Sequence, residues 1–93
     1  RINLCHALNT KGGVHSEFTI MRESEDSFYL VSAGAFQRLD HDWIHKWMPK
    51  DGSVQFENLT NSIGVLVVSG PKARTLMQKI SKTDFSNDKF KWL

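Results

Sequence analysis

The chain has 93 residues, of which 40% are hydrophobic, with six Phe, three Trp and one Tyr, and its twelve Lys and Arg against ten Asp and Glu give a formal charge of +2. That length holds one hydrophobic core, no apolar run is long enough for a membrane span, and scattered basic residues argue against nucleic acid as a partner. A single cysteine, Cys5, excludes an internal disulfide, suits a reducing compartment, and reads as a small buried apolar residue.

Taken in order, INLCHAL is a first strand, and NTKGG is a turn in which Asn9 and the glycines accept positive φ. In VHSEFTIMR, Val14, Phe18 and Ile20 share one face while His15, Glu17, Thr19 and Met21 share the other, the period of two of a strand. ESEDS is a hairpin loop and FYLVSAG the returning strand. From Ala35 to Met48 the period lengthens. Phe36, Leu39, Trp43, Ile44, Trp47 and Met48 recur at helical spacing and form one apolar stripe, which Pro49 and the KDG turn end. VQFENL and SIGVLVVS read as two further strands joined around Thr60 and Asn61. Gly70 and Pro71 then open a second helix with Ala73, Leu76, Met77 and Ile80 on its apolar side. From Lys82 onward the chain is polar with isolated aromatics, Phe85, Phe90 and Trp92.

The order strands, helix, strands, helix predicts an α+β fold: one domain over residues 1–93, an antiparallel sheet with two amphipathic helices on one face. The other face needs a cover as well. In GVLVV, Val65 and Val67 point one way and Leu66 and Val68 the other, and a strand apolar on both faces is usually buried on both. Something besides the two helices must therefore lie on the sheet, and Glu17 sits on the side awaiting it. A start at Arg1 rather than Met, and an end on FKWL, read as a piece of a longer polypeptide.

Other chemistry is thinly represented. His41 and His45 have the spacing of a two-histidine metal site but lie on the polar side of the predicted helix with no third ligand evident, and His6 and His15 occupy adjacent strands without an acid or Cys cluster. No metal site is expected. NLT, residues 58–60, is a formal glycosylation sequon that reads as chance outside a secreted protein. No phosphate-binding loop, dinucleotide fingerprint or Ser-His-Asp arrangement is present.

LNTKGGVHSEFTIMR, FYLVSAG, VLVVSGPKARTLMQKIS and FSNDKFKWL resemble, in order and spacing, the folate-binding module of the glycine cleavage T-protein (aminomethyltransferase) superfamily. They look closest to the T-protein-like part of dimethylglycine and sarcosine dehydrogenases. The resemblance implies a part of a tetrahydrofolate pocket, with the remainder of the parent polypeptide as partner, in an enzyme that passes a one-carbon unit from an amine to tetrahydrofolate. The setting implied is a bacterial cytoplasm or a mitochondrial matrix. FAD would belong to the parent protein, not to this chain. The strand after the Gly-Gly pair carries a carboxylate at the folate, usually Asp; Glu17 matches that position, preceded by Ser16 where a second Asp is common. Ser32 and Ala33 match a segment that reads Val-Asn-Ala and runs close to the folate.

On residues alone, Glu17 is either a solvated strand carboxylate or a group placed for chemistry. A carboxylate suits amine chemistry because it stabilises developing positive charge and can accept a departing proton. Ser32 and Ala33 are likewise either a plain strand end or part of the folate-binding set with Ser16 and Glu17. For the whole chain the alternative is a self-standing α+β module that uses its uncovered face to dimerise or bind a protein, without catalysis.

Overall fold

A computed structural model describes residues 2–91, which fall into two compact units divided between Gln55 and Phe56. The first contains a three-stranded antiparallel sheet in the order β1 (Ile2–Leu8), β2 (Val14–Arg22), β3 (Phe28–Val31), followed by a 3₁₀ turn at Gly34–Phe36 and helix α1 (Gln37–Trp47). The second contains helix α2 (Ala73–Ile80). The α+β class with an antiparallel sheet and two helices is thus as expected. No helix among the described residues is long and apolar enough to cross a membrane.

The first hairpin closes through Asn9, whose side-chain Oδ1 accepts the N–H groups of Lys11 at 2.9 Å and Gly13 at 3.1 Å while its own N–H reaches the Gly13 carbonyl at 2.9 Å. An Asn side chain imitates a backbone turn in this way. Gly12, at φ 79°, supplies the left-handed residue the turn requires. At the other end of β2, Arg22 donates from Nε and Nη2 to the carbonyls of Ser24 and Glu25, tying down the loop to β3.

Pairing out of the first turn begins with Leu8 opposite Val14, then shifts so that Ala7 faces Ser16, His6 faces Glu17, Cys5 faces Phe18 and Leu4 faces Thr19. The extra residue is His15. Such a bulge puts two residues of one strand against one of the other and breaks the alternation of side chains. His15 and Ser16 accordingly lie side by side, with Nδ1 and Oγ 2.9 Å apart. Trp43 of α1 meets the His15 ring at a centroid distance of 5.8 Å. The helix therefore approaches the sheet over the side that buries Ser16 and Phe18, and Cys5, opposite Phe18, is half-buried there.

Helix α1 starts two residues later than the apolar spacing implies, because the 3₁₀ turn takes up Gly34–Phe36, and its end is as expected. Met48 is extended, φ −65° and ψ 137°, as a residue before proline prefers. Lys50 Nζ donates to the His45 carbonyl at 2.7 Å, satisfying an acceptor the last turn leaves open. The stripe itself is only partly used: Trp43 and Ile44 are half-buried, Phe36, Leu39 and Trp47 are exposed, and Lys46 sits over the Trp47 ring. Among the described residues Phe18 is the one buried apolar side chain.

The two strands expected at VQFENL and SIGVLVVS do not form: 54–69 is irregular, with a turn where Asn58 Oδ1 accepts the Thr60 N–H at 3.0 Å and the Leu59 carbonyl accepts Ser62 and Ile63. A strand is stabilised by a neighbour that pairs with its backbone, and no strand among the described residues pairs with this segment. Phe56 and Leu59 are half-buried, but the run from Ile63 to Val68 stays in solvent, Leu66 at 92% and Val67 at 89% exposure.

In the second unit α2 begins at Ala73 rather than Pro71, which lies in the turn ahead of it with Gly70 at φ 114°. Arg74 organises the chain beyond the helix. Its Nη1 lies 2.6 Å from the Phe85 carbonyl, 2.9 Å from that of Phe90 and 3.3 Å from that of Ser86, and its guanidinium covers the Phe90 ring. Gln78 Oε1 accepts the Phe85 N–H at 3.1 Å. Two exposed aspartates tighten turns by the same device: the Ser53 hydroxyl and then its N–H hold Asp51 below its ordinary 3.8, and the N–H and then the hydroxyl of Ser86 do so for Asp84. With folded values depressed, their contribution is present above 3.8 and is lost as the pH falls through the lowered values.

Phe18→Ala is expected to cost about 3–5 kcal/mol, as removal of a buried aromatic does, read as a lower denaturant midpoint of the protein. Arg74→Leu is expected to accelerate amide exchange over residues 85–90 about fivefold or more, ~1 kcal/mol once charged hydrogen bonds are discounted for solvent exposure. The amides of β2 should not change.

Candidate functional site

Cross-strand pairing assigns side chains to faces without further assumption. Ile2, Leu4 and His6 of β1 share a face with Glu17, Thr19 and Met21 of β2 and with Tyr29 and Val31 of β3. That is the face opposite Phe18. Ile2 and Leu4 are exposed on it, while Thr19, Met21, Tyr29 and Val31 are half-buried.

At one end of this face stands the one carboxylate–imidazole pair of the described sheet. His6 Nε2 and Glu17 Oε2 are 2.8 Å apart, with side chains 44% and 60% exposed. The residues lie directly opposite each other, so β1 and β2 fix both Cα positions and the ring reaches a carboxylate it cannot easily miss. The other positions of the face are apolar or hydroxylic, and no Lys or Arg of the sheet shares it.

Ser32 and Ala33 leave β3 at the same end. The β2–β3 ladder stops at Thr19 opposite Val31, so two more steps would set Ser32 against Phe18 and Ala33 against Glu17. Instead the backbone turns off, Ala33 extended at φ −67° and ψ 125°, and its carbonyl accepts the Phe36 N–H at 2.9 Å to begin the 3₁₀ turn. Ser32 is half-buried and Ala33 exposed. Ser16 is placed differently: it is 7% exposed on the helix side of β2, bonded to His15. The structure thus joins Glu17 with His6, sets Ser32 and Ala33 at the same end of the sheet, and keeps Ser16 on the other side.

The histidines do not assemble as ligands. His6 meets Glu17, His15 meets Ser16 and Trp43, and His41 and His45 stack at 4.3 Å with Asp42 beside His41. Among the described residues no three His, Cys, Asp or Glu side chains come together as metal ligands. A shallow open depression in the second unit is lined by Arg74, Gln78, Lys79 and Asp84, but its Arg74 is committed to carbonyls.

The GCVT N-terminal domain family matches residues 1–93, the whole chain. The chain belongs to that family. It is 38% identical over 92 residues to the mitochondrial dimethylglycine dehydrogenase of Homo sapiens, covering 98% of this chain and 11% of the human protein. It is 34% identical over 86 residues to an aminomethyltransferase of Thermoanaerobacter sp., covering 88% of this chain and 22% of that protein, and 35% identical over 83 residues to the Alkaliphilus metalliredigens aminomethyltransferase, with the same coverages. The chain therefore spans between about a tenth and about a fifth of these relatives. No solved structure matches it significantly. Sequence reading singled out Glu17 and missed His6 as its partner, because a count outward from the Asn9–Gly13 closure pairs His6 with Ser16, and only the bulge at His15 moves it to Glu17.

Proposed function

We propose that this GCVT N-terminal segment forms part of a tetrahydrofolate-binding domain in an enzyme that transfers a one-carbon unit from an amine to tetrahydrofolate. The observation that carries this reading is the carboxylate of Glu17, held by His6 on the open face of the sheet at the end where Ser32 and Ala33 leave it. The donor set suits the ligand. Half-buried Thr19, Met21, Tyr29 and Val31 offer an apolar floor for a flat ring system, and a carboxylate beside them addresses ring nitrogens.

When bound, tetrahydrofolate supplies the nitrogen that accepts the one-carbon unit. Glu17 stabilises the positive charge that builds on a nitrogen as it bonds to carbon, and takes up the proton that nitrogen sheds. Ser32 and Ala33 line the ligand through backbone and hydroxyl, and Ser16 supports the strand from behind. The exposed segment around Leu66 and Val67, with the open sheet face, meets the remainder of the parent polypeptide, which in the relatives is several times longer than this chain. FAD of a parent dehydrogenase binds in that remainder. The mitochondrial and bacterial relatives favour a matrix or cytoplasmic setting.

The same exposed apolar segment also fits a small dimerising module without catalysis. Sedimentation separates the two: a homodimer that buries residues 63–68 and does not bind folate would support the module. In the full-length protein, Glu17→Gln is expected to slow folate-dependent one-carbon transfer about 10²-fold and to leave any flavin-linked amine oxidation at its wild-type rate. Transfer at the wild-type rate would remove Glu17 from the mechanism.

A further inference from the structure

We infer that His6 is a positioning residue for Glu17: its Nε2–H holds Oε2 of the carboxylate at 2.8 Å and so aims the other oxygen, Oε1, at whatever lies over the open sheet face. This rests on the role of Glu17 proposed above and adds a residue to it.

A glutamate has three side-chain rotors, and one that is 60% exposed on a sheet samples many orientations unless something selects one. The selection here comes from the strand directly opposite. His6 and Glu17 are cross-strand partners, so two paired backbones set the distance between their Cα atoms, and a rigid imidazole spans it. Nothing else on the face competes. The neighbouring positions are Leu4, Thr19 and Val31, and among the described residues His6 is the one group bonded to Glu17. The bond engages one carboxylate oxygen and leaves its second for a ligand.

A plain surface ion pair predicts something else. Pairs this exposed contribute little to stability, and a merely decorative pair would contribute nothing to chemistry either. A positioning role predicts unchanged stability together with a slower transfer step, because small misplacements of a catalytic group are costly in rate.

The test uses the full-length protein with His6→Leu, which removes the donor, and His6→Gln, whose amide places an N–H at a reach close to that of the imidazole Nε2. His6→Leu should lower kcat for folate-dependent transfer about tenfold, with the thermal midpoint unchanged and calorimetric affinity for 5-formyltetrahydrofolate within about twofold of wild type. His6→Gln should recover most of the rate. The double variant His6→Leu/Glu17→Gln should be no slower than Glu17→Gln alone, since His6 acts only through the carboxylate. A wild-type kcat in His6→Leu, with Glu17→Gln slow, overturns the positioning role and leaves Glu17 in place. A loss of folate affinity with kcat retained, or an additive double variant, also overturns it by making His6 an independent contact. Glu17→Gln at the wild-type rate removes the premise instead.

Discussion

The one-residue bulge at His15 decides what the sheet presents. Without it the pairing that starts at Leu8 and Val14 would continue in step, and His6 would face Ser16 on the same side of the hairpin. With it, His6 faces Glu17, Ala7 faces Ser16, and Phe18 turns to the side from which α1 approaches. A shift of one residue in a strand exchanges its faces, so the burial of Phe18 and the exposure of the His6–Glu17 pair are two results of one irregularity. The side chain that creates it is held in place by Ser16 Oγ and by the Trp43 ring.

The same two-sidedness explains why so little of the chain is buried. Strands β1 to β3 have an apolar residue or a methyl-bearing threonine at many positions of both faces, and α1 attends to only one of them. In 54–69 the apolar run has no strand to pair with among the described residues. Apolar area left in water contributes nothing to folding, at ~25 cal/mol per Å² forgone, and an apolar segment with exposures near 90% at Leu66 and Val67 is the composition of an interior without the interior. The relatives it matches are several times longer than this chain, which covers about a tenth of a dimethylglycine dehydrogenase and about a fifth of an aminomethyltransferase.

How far the sequence foretold this depends on which forces are local. The bounds of β1, β2 and the Asn9–Gly13 turn were legible to the residue, since alternation, glycine and an Asn side chain act within a few positions, but His15, expected on the Glu17 face, is turned by the bulge to lie beside Ser16. The end of α1 was legible in Pro49 for the same reason, while its start was blurred by a 3₁₀ turn that apolar spacing does not distinguish from a helix. VLVV was read as a strand on propensity, and propensity without a neighbouring edge does not make one. Glu17 was legible as a carboxylate on the side of β2 away from Phe18. Its partnership with His6 was not, because a bulge leaves no mark in the alternation until the register is known.

Positions 16 and 17 also show what each side of β2 asks of a side chain. Ser16 lies 7% exposed on the covered side of β2, where a carboxylate would lose hydration; the hydroxyl, bonded to the His15 ring, satisfies itself there at little cost. Glu17, on the open side, carries one more methylene than aspartate and hence one more rotor. That freedom would blur the position of the anion, and a cross-strand imidazole 2.8 Å away is the kind of constraint that removes it. The longer carboxylate and the histidine opposite are in this sense one arrangement: glutamate reaches across to β1 as a shorter side chain would do less readily, and in doing so exchanges conformational freedom for a fixed direction.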